Sequence, residues 1–506
     1  MNIYYNLIIL LYFIKLSKAY LIIPLKFTNI NATIDDIKTN YLSKIYSDNL
    51  YLNISIGTNN ETIKGLLDMG QVGFYIYENA YNYNSSSSFM KDNKTISFYK
   101  RNYEKGYISN DTLCIYNIKD ITKPKIEKCT GNNNIIKFAL LKHIEDNIYA
   151  NYSIVGLQQN DYYDENSVPL FIHSLKKGDL IDSYTFSFSF NNKEKKEKDK
   201  DKDKGDINNN EIIGYLFLGY EYEENEEFEI KQFSSVRKFG NPFWFISFSE
   251  ICVGLNNSYD TSSQNKYQSF HYTEVELIGS LPYLVGIYEY NIYIKFHFFY
   301  DFLSSKICNY TGVPLNPDYS TFVCDSKSEI FMNALNTKFP KLYFIYNETN
   351  TTFILDKEDL FTYNLYNESD NLIYFLVFFY NHNGQYDDIT KFKLGMPFFK
   401  KYKLSFNSDA RIIKYYEKVN NKKKEEEKNI KNNEKVYLVI KIIVIIVLLI
   451  IFFGLGFLFH RIITKTPRKK KANEMDDDYD YNLVDKNKNN ADNIDNVYCI
   501  NEEKGS

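Results

Sequence analysis

Asn49-Leu-Tyr-Leu-Asn-Ile-Ser-Ile-Gly-Thr58, followed closely by Leu66-Leu-Asp-Met-Gly70, is the stretch from which the fold is read. Apolar and polar residues alternate through the first run, which predicts a half-buried strand. Gly57-Thr58 turns that strand, and a second apolar strand delivers one carboxylate, Asp68, into a glycine turn. Short alternating strands broken by Asn, Asp and Gly continue from Tyr51 onward, with Phe186-Ser-Phe-Ser-Phe190 and Gly214-Tyr-Leu-Phe-Leu-Gly219 as further examples. Helical periods are few, so the body is predicted to be all-β.

The chain has 506 residues, enough for two lobes of ordinary domain size. Its formal net charge is -4 and no basic face dominates, so nucleic acid is not an expected partner. A short apolar run at residues 7–14, closed by Ser17-Lys-Ala19, predicts a signal peptide over residues 1–19. Residues 436–459 predict a transmembrane helix: 442–459 is unbroken apolar sequence, and Lys441 can snorkel to the interface. His460, Arg461, Lys465 and Arg468-Lys-Lys-Lys471 follow it and suit a cytosolic flank. The expectation is a single-pass type I protein of the secretory pathway or cell surface, with residues 460–506 as a cytosolic tail. Between these segments we expect a short polar leader (20–48), an N-terminal lobe (49–238), a C-terminal lobe (239–417) and a charged stalk (418–435). Residues 193–211, almost entirely Lys, Asp, Glu and Asn, predict a solvated loop within the first lobe.

An extracytosolic body is compatible with disulfides. Cys114–Cys129 and Cys308–Cys324 are the pairs expected from spacing, each closing a loop worth roughly 3 kcal/mol in the chain-entropy model. Cys252 is left over and expected to be buried. Asn53, Asn93, Asn151 and Asn347 head Asn-X-Ser/Thr sequons, which permit glycosylation. His143, His173, His271, His297 and His382 lack metal-ligand spacing, no phosphate-binding glycine loop occurs, and no cofactor is expected.

The strand–turn–strand ending at Asp68 resembles the first lobe of the pepsin-like aspartic proteases, whose turn reads Asp-Thr-Gly-Ser. Other segments are similar in the same order. Ile96-Ser-Phe-Tyr99 and Gly106-Tyr-Ile-Ser-Asn-Asp-Thr-Leu113 resemble the substrate-covering flap, with Tyr99 on the flap tyrosine. Ile154-Val-Gly-Leu157 resembles the element behind the catalytic loop, Pro169-Leu-Phe-Ile-His-Ser-Leu175 the helix after it, and Phe243-Trp-Phe-Ile-Ser-Phe248 the interlobe strand. In the second lobe Cys308, Cys324 and Phe339-Pro-Lys-Leu-Tyr-Phe-Ile345 resemble the disulfide region and the strand that follows. Leu394-Gly-Met-Pro-Phe-Phe-Lys-Lys-Tyr402 with Phe406-Asn407 resembles the closing element, in wording nearest to the plasmepsins. The resemblance implies a two-lobed, pepsin-like β fold.

Peptide hydrolysis on that fold needs two carboxylates, one per lobe, sharing a proton because both cannot ionise so close together. The segment that resembles the second site is Val275-Glu-Leu-Ile-Gly-Ser-Leu281, where Leu277 occupies the aspartate position. Glu276 could replace it only by a register slip, since adjacent strand residues face opposite sides. Asp260-Thr-Ser-Ser263 is a rival that lacks an apolar strand before it. Met69 and Ile278 stand where the family has interface threonines, Gln71 replaces a serine, and Tyr75 stands where a tryptophan supports the flap. The resemblance therefore implies a degenerate member, a pseudoprotease that binds peptide or protein segments in its cleft. The alternatives are an active aspartic endopeptidase using Asp68 with a non-standard partner, and a surface adhesion or scaffold protein.

Overall fold

The computed structural model describes residues 19–29, 41–98, 104–117, 126–130, 135–142, 151–158, 168–191, 212–220, 228–235, 243–254, 268–363, 371–381 and 390–418. All but Lys418 belong to one compact unit; Lys418 is assigned to a second, residues 418–502, which otherwise lies outside the described residues. The expected charged loop (193–211), transmembrane helix (436–459) and tail (460–506) also fall outside them, as do all but one residue of the signal peptide and of the stalk. Among the described residues no helix is long and apolar enough to cross a membrane.

Strands dominate, as the alternating sequence predicts, and they form mixed sheets. Six of them make a symmetric central arrangement. Thr185–Phe190 and Leu404–Asn407 pair antiparallel at its middle, Phe186 opposite Phe406. Gly214–Leu218 and Ile412–Lys418 flank that pair, and Leu21–Asn29 and Phe228–Ser234 lie outside them. The middle is fixed by aromatic packing: Phe186 stacks on Phe406 at 4.9 Å, and Trp244 meets both rings edge-on at 5.6 and 5.0 Å. Such rings prefer offset or edge contacts and bury large apolar areas.

Each half of the chain then builds the same threaded unit. In the first, Ser153–Gly156 runs between Glu61–Asp68, to which it is parallel, and Phe74–Tyr77, to which it is antiparallel. Ile136–Leu141, Glu104–Asp111 and Met90–Phe98 continue the sheet outward. In the second, Phe392–Leu394 runs between Glu274–Leu277 and Leu284–Gly286, with Val377–Tyr380, Asn316–Asp325 and Cys308–Val313 continuing outward. Order and strand sense agree at every step. Threading brings backbones together at one residue in each unit, and both are glycine. A Cβ on Gly156 would stand 2.5 Å from the Gly73 carbonyl oxygen, and one on Gly395 2.5 Å from that of Leu281.

Both expected disulfides are present, Cys114–Cys129 and Cys308–Cys324, each joining residues directly opposite on paired strands. Cys252 is buried and forms no disulfide.

Within residues 20–48, expected as a polar leader, the described parts 20–29 and 41–48 carry regular structure. Leu21–Asn29 is an interior strand whose Leu21, Ile23 and Leu25 enter the core, and Tyr41–Ser47 is a helix. The polar average of the segment hides a period-two run at its start.

Candidate functional site

Asp68 ends its strand and opens the first loop. Its Oδ1 accepts a hydrogen bond from Gly70 N at 2.8 Å, and its carbonyl accepts one from Leu157 N at 3.0 Å. The carboxylate thus folds its own glycine turn, as Asp side chains do in Asx turns.

The second loop follows Glu274–Leu277. Leu277 N donates to the Trp244 carbonyl at 2.8 Å, and Ile278 N donates to the Leu394 carbonyl at 2.9 Å. In a parallel pair this sets Ile278 level with Gly395, as Asp68 is level with Gly156. The carbonyls crowding the two glycines agree: Gln71 and Gly73 in one loop, Leu281 and Tyr283 in the other. By backbone register the counterpart of Asp68 is therefore Ile278, one residue beyond Leu277. Leu277 itself is 1% exposed within the core, and Ile278 is 8% exposed. The difference arises because Gly279-Ser280 reads like Gly70-Gln71 in sequence, whereas in space Gly279 stands at the level of Met69.

The loops touch at that point. Gly279 N lies 3.0 Å from Met69 Sδ, and a Cβ on Gly279 would come within 3.2 Å of both Phe188 and Phe399. A thioether is a weak acceptor, so this joint is apolar contact more than hydrogen bonding. Trp244 ties the loops more firmly. Its indole Nε1 donates to the Leu157 carbonyl at 2.8 Å while its own carbonyl accepts from Leu277 N. A chain of hydrogen bonds thus runs from Asp68 through Leu157 and Trp244 to Leu277.

Glu276 is buried between Phe245 and Lys393 of the neighbouring strands. It precedes Ile278 by two residues, and the strand ends between them at Leu277. Asp260 and Tyr99 lie outside the described residues. The strands leading to Tyr99, Met90–Phe98 and Glu104–Asp111, pair as far as Phe98 opposite Glu104. Tyr75 is buried, and desolvation pushes its hydroxyl well above the ordinary phenol value, with Tyr77 adding to the effect.

Two features were missed in the sequence. Asp111 is fully buried at the root of the hairpin, accepting from Tyr81 and Ser88 hydroxyls, from Ser86 Oγ at 3.1 Å and from Thr112 N at 2.7 Å. Its setting among serines in a polar stretch gave no apolar signal. The second is the helix Tyr41–Ser47, which leads into Asp48–Ile56; that strand is antiparallel to Glu61–Asp68, so Asp48 lies toward the Asp68 end. Lys44 and Asp48 form a buried ion pair at 2.6 Å. Burial raises the Asp48 carboxyl, and the Lys44 charge opposes the rise. Leu42, Ile45 and Tyr46 pack against Tyr283, Val285 and Phe378 of the second half. Asn316 Nδ2 donates to the Tyr46 hydroxyl at 2.6 Å. The helix therefore bridges the halves beside both loops; Leu42, Ile45 and Tyr46 at helical spacing were the available signal.

Among the described residues no group of three or more His, Cys, Asp or Glu is placed to hold a metal. No protein-family model matches the chain, and no curated protein matches it.

Proposed function

We propose that the chain has the two-lobed pepsin-like fold and acts as a membrane-anchored, catalytically degenerate aspartic protease homologue that binds extended peptide or protein segments. The carrying observation is the chemistry of the two loops. One presents Asp68; the other presents Leu277 at the position matched by sequence and Ile278 at the position matched by backbone register. A two-carboxylate mechanism needs one ionised acid to activate water and one protonated acid to support the carbonyl. A single carboxylate supplies the first role only. The repeated threaded unit supports the fold assignment, and the Met69–Gly279 contact supports loss of the hydroxyl network that would rigidify an acid pair.

The test uses the full chain in detergent. Peptide libraries are incubated from pH 4 to 7 with and without a statine-type inhibitor, and binding of extended peptides is followed in parallel. Binding without turnover is expected. Inhibitor-sensitive turnover that disappears in Asp68→Ala would overturn the reading.

Glu276 favours a second reading, an active endopeptidase with a displaced partner acid, because it is a buried carboxylate on the strand that leads into the second loop. There turnover would vanish in both Asp68→Ala and Glu276→Gln.

A further inference from the structure

Four of the eight exposed large apolar side chains among the described residues lie on one helical run. Tyr288, Ile292, Phe296 and Tyr300 are 55%, 39%, 58% and 56% exposed, at intervals of four residues. They span Tyr288–Ile294, the π-helical turn Lys295–Phe299 and Tyr300–Ser304. In an α-helix a four-residue interval overshoots a full turn by about 40°. The wider π turn before Tyr300 undershoots by about 30°, which takes back part of that drift. The four side chains follow one side of the run for about 18 Å, and the rings of Phe296 and Tyr300 stack at 6.3 Å. The other face of the run is core, with Tyr290, Ile294 and Phe299 fully buried. Glu289 and Asp301 balance Lys295 and Lys306, so what the surface offers is apolar contact and not a field. Large apolar side chains exposed together in this way mark an interaction surface.

We infer that this stripe rests on the lipid bilayer that holds the chain's own apolar segment. The inference depends on reading residues 436–459 as a membrane span. Residues 419–435 separate the described body from that segment, and fully extended they reach at most about 60 Å. The bilayer surface is thereby held at high effective concentration, as for any tethered partner. The stripe's chemistry suits it. Tyr288 and Tyr300 at the ends carry an apolar ring with a polar tip, the side-chain type enriched at membrane interfaces. Ile292 and Phe296 between them would enter the acyl boundary. The balanced charge predicts that a neutral bilayer suffices.

The test reconstitutes the full chain, with Cys499→Ser, into phosphatidylcholine vesicles. An environment-sensitive fluorophore is placed at Phe296→Cys and, as control, at Tyr363→Cys, an exposed aromatic on another element (48% exposed). A lipid-borne quencher is expected to quench the 296 label several-fold more than the 363 label, with a blue shift at 296 alone. Equal quenching at both sites would overturn the inference. So would energy transfer between labelled copies without lipid quenching, which would assign the stripe to self-association. If the chain fails to float with vesicles, the membrane reading fails and this inference with it. If it floats but the labels behave alike, only the stripe's role is lost.

Discussion

Ile278 and Leu277 sit side by side in different surroundings, and a carboxylate would distinguish them. At 277 it would be buried among core side chains, where an unpaired charge is strongly disfavoured. At 278 it would stand beside the loop that carries Asp68. We expect Leu277→Asp to be severely destabilising at pH 7 and Ile278→Asp to be milder. Two acids facing one another raise the pKa of the introduced group in the folded state. Its contribution is then favourable below its unfolded pKa and lost as pH rises through the folded one, so Ile278→Asp should gain stability on acidification. Urea unfolding at pH 4 and 7 reads this directly, and identical behaviour of the two variants would place the counterpart elsewhere. Gly395→Ala forces a Cβ against backbone carbonyls that cannot rotate away, and should lower the melting temperature sharply or abolish folding. Asp68 was legible from the apolar run before its glycine turn, and Gly156 and Gly395 only through the resemblance their segments carry; the threaded strands then give the physical reason for glycine at each crossing. The register of Ile278 was not legible, because two similar dipeptides one residue out of step cannot be separated without backbone hydrogen bonds.

Single elements carry two further expectations. Trp244→Phe deletes the indole donor and leaves the buried Leu157 carbonyl without it, a loss of about 1–3 kcal/mol in denaturant unfolding. The helices Lys357–Leu360 and Met396–Lys401 are joined by Lys401, which pairs with Asp359 at 2.5 Å and Asp356 at 3.2 Å. Burial lifts the Asp359 carboxyl to about 6, with Lys401 pulling against it and the Asp356 charge adding to the rise. The folded state therefore binds this proton more tightly than the unfolded chain. The associated stability is complete below about 4 and lost as pH rises through about 6. Melting temperatures across that window should decline with pH in the wild type and less so in Asp359→Asn. At this scale the strands were legible from alternation. The helical run after Gly286 was not: Tyr, Phe and Ile dominate it, and those residues favour strands as readily as an amphipathic helix.

Across the whole body, order along the chain was readable and non-local pairing was not. Removing Cys308–Cys324 by double alanine substitution should cost about 2–4 kcal/mol, because each bridge closes a short loop between opposed strands. Comparable losses from Cys114–Cys129 would fit its similar span of 15 residues. The symmetric central arrangement left no local trace, since its middle pair joins residues 185–190 to 404–407. That distance has a consequence for biosynthesis. A nascent chain exposes the free edge of Thr185–Phe190, with Phe186 and Phe188, for as long as it takes to make the following two hundred or so residues. Folding of the first half cannot finish in the order of translation. During that wait the edge is open to other strands, so the protein should depend on a holding factor, and chains ending before Leu404 should aggregate and not persist as half-molecules.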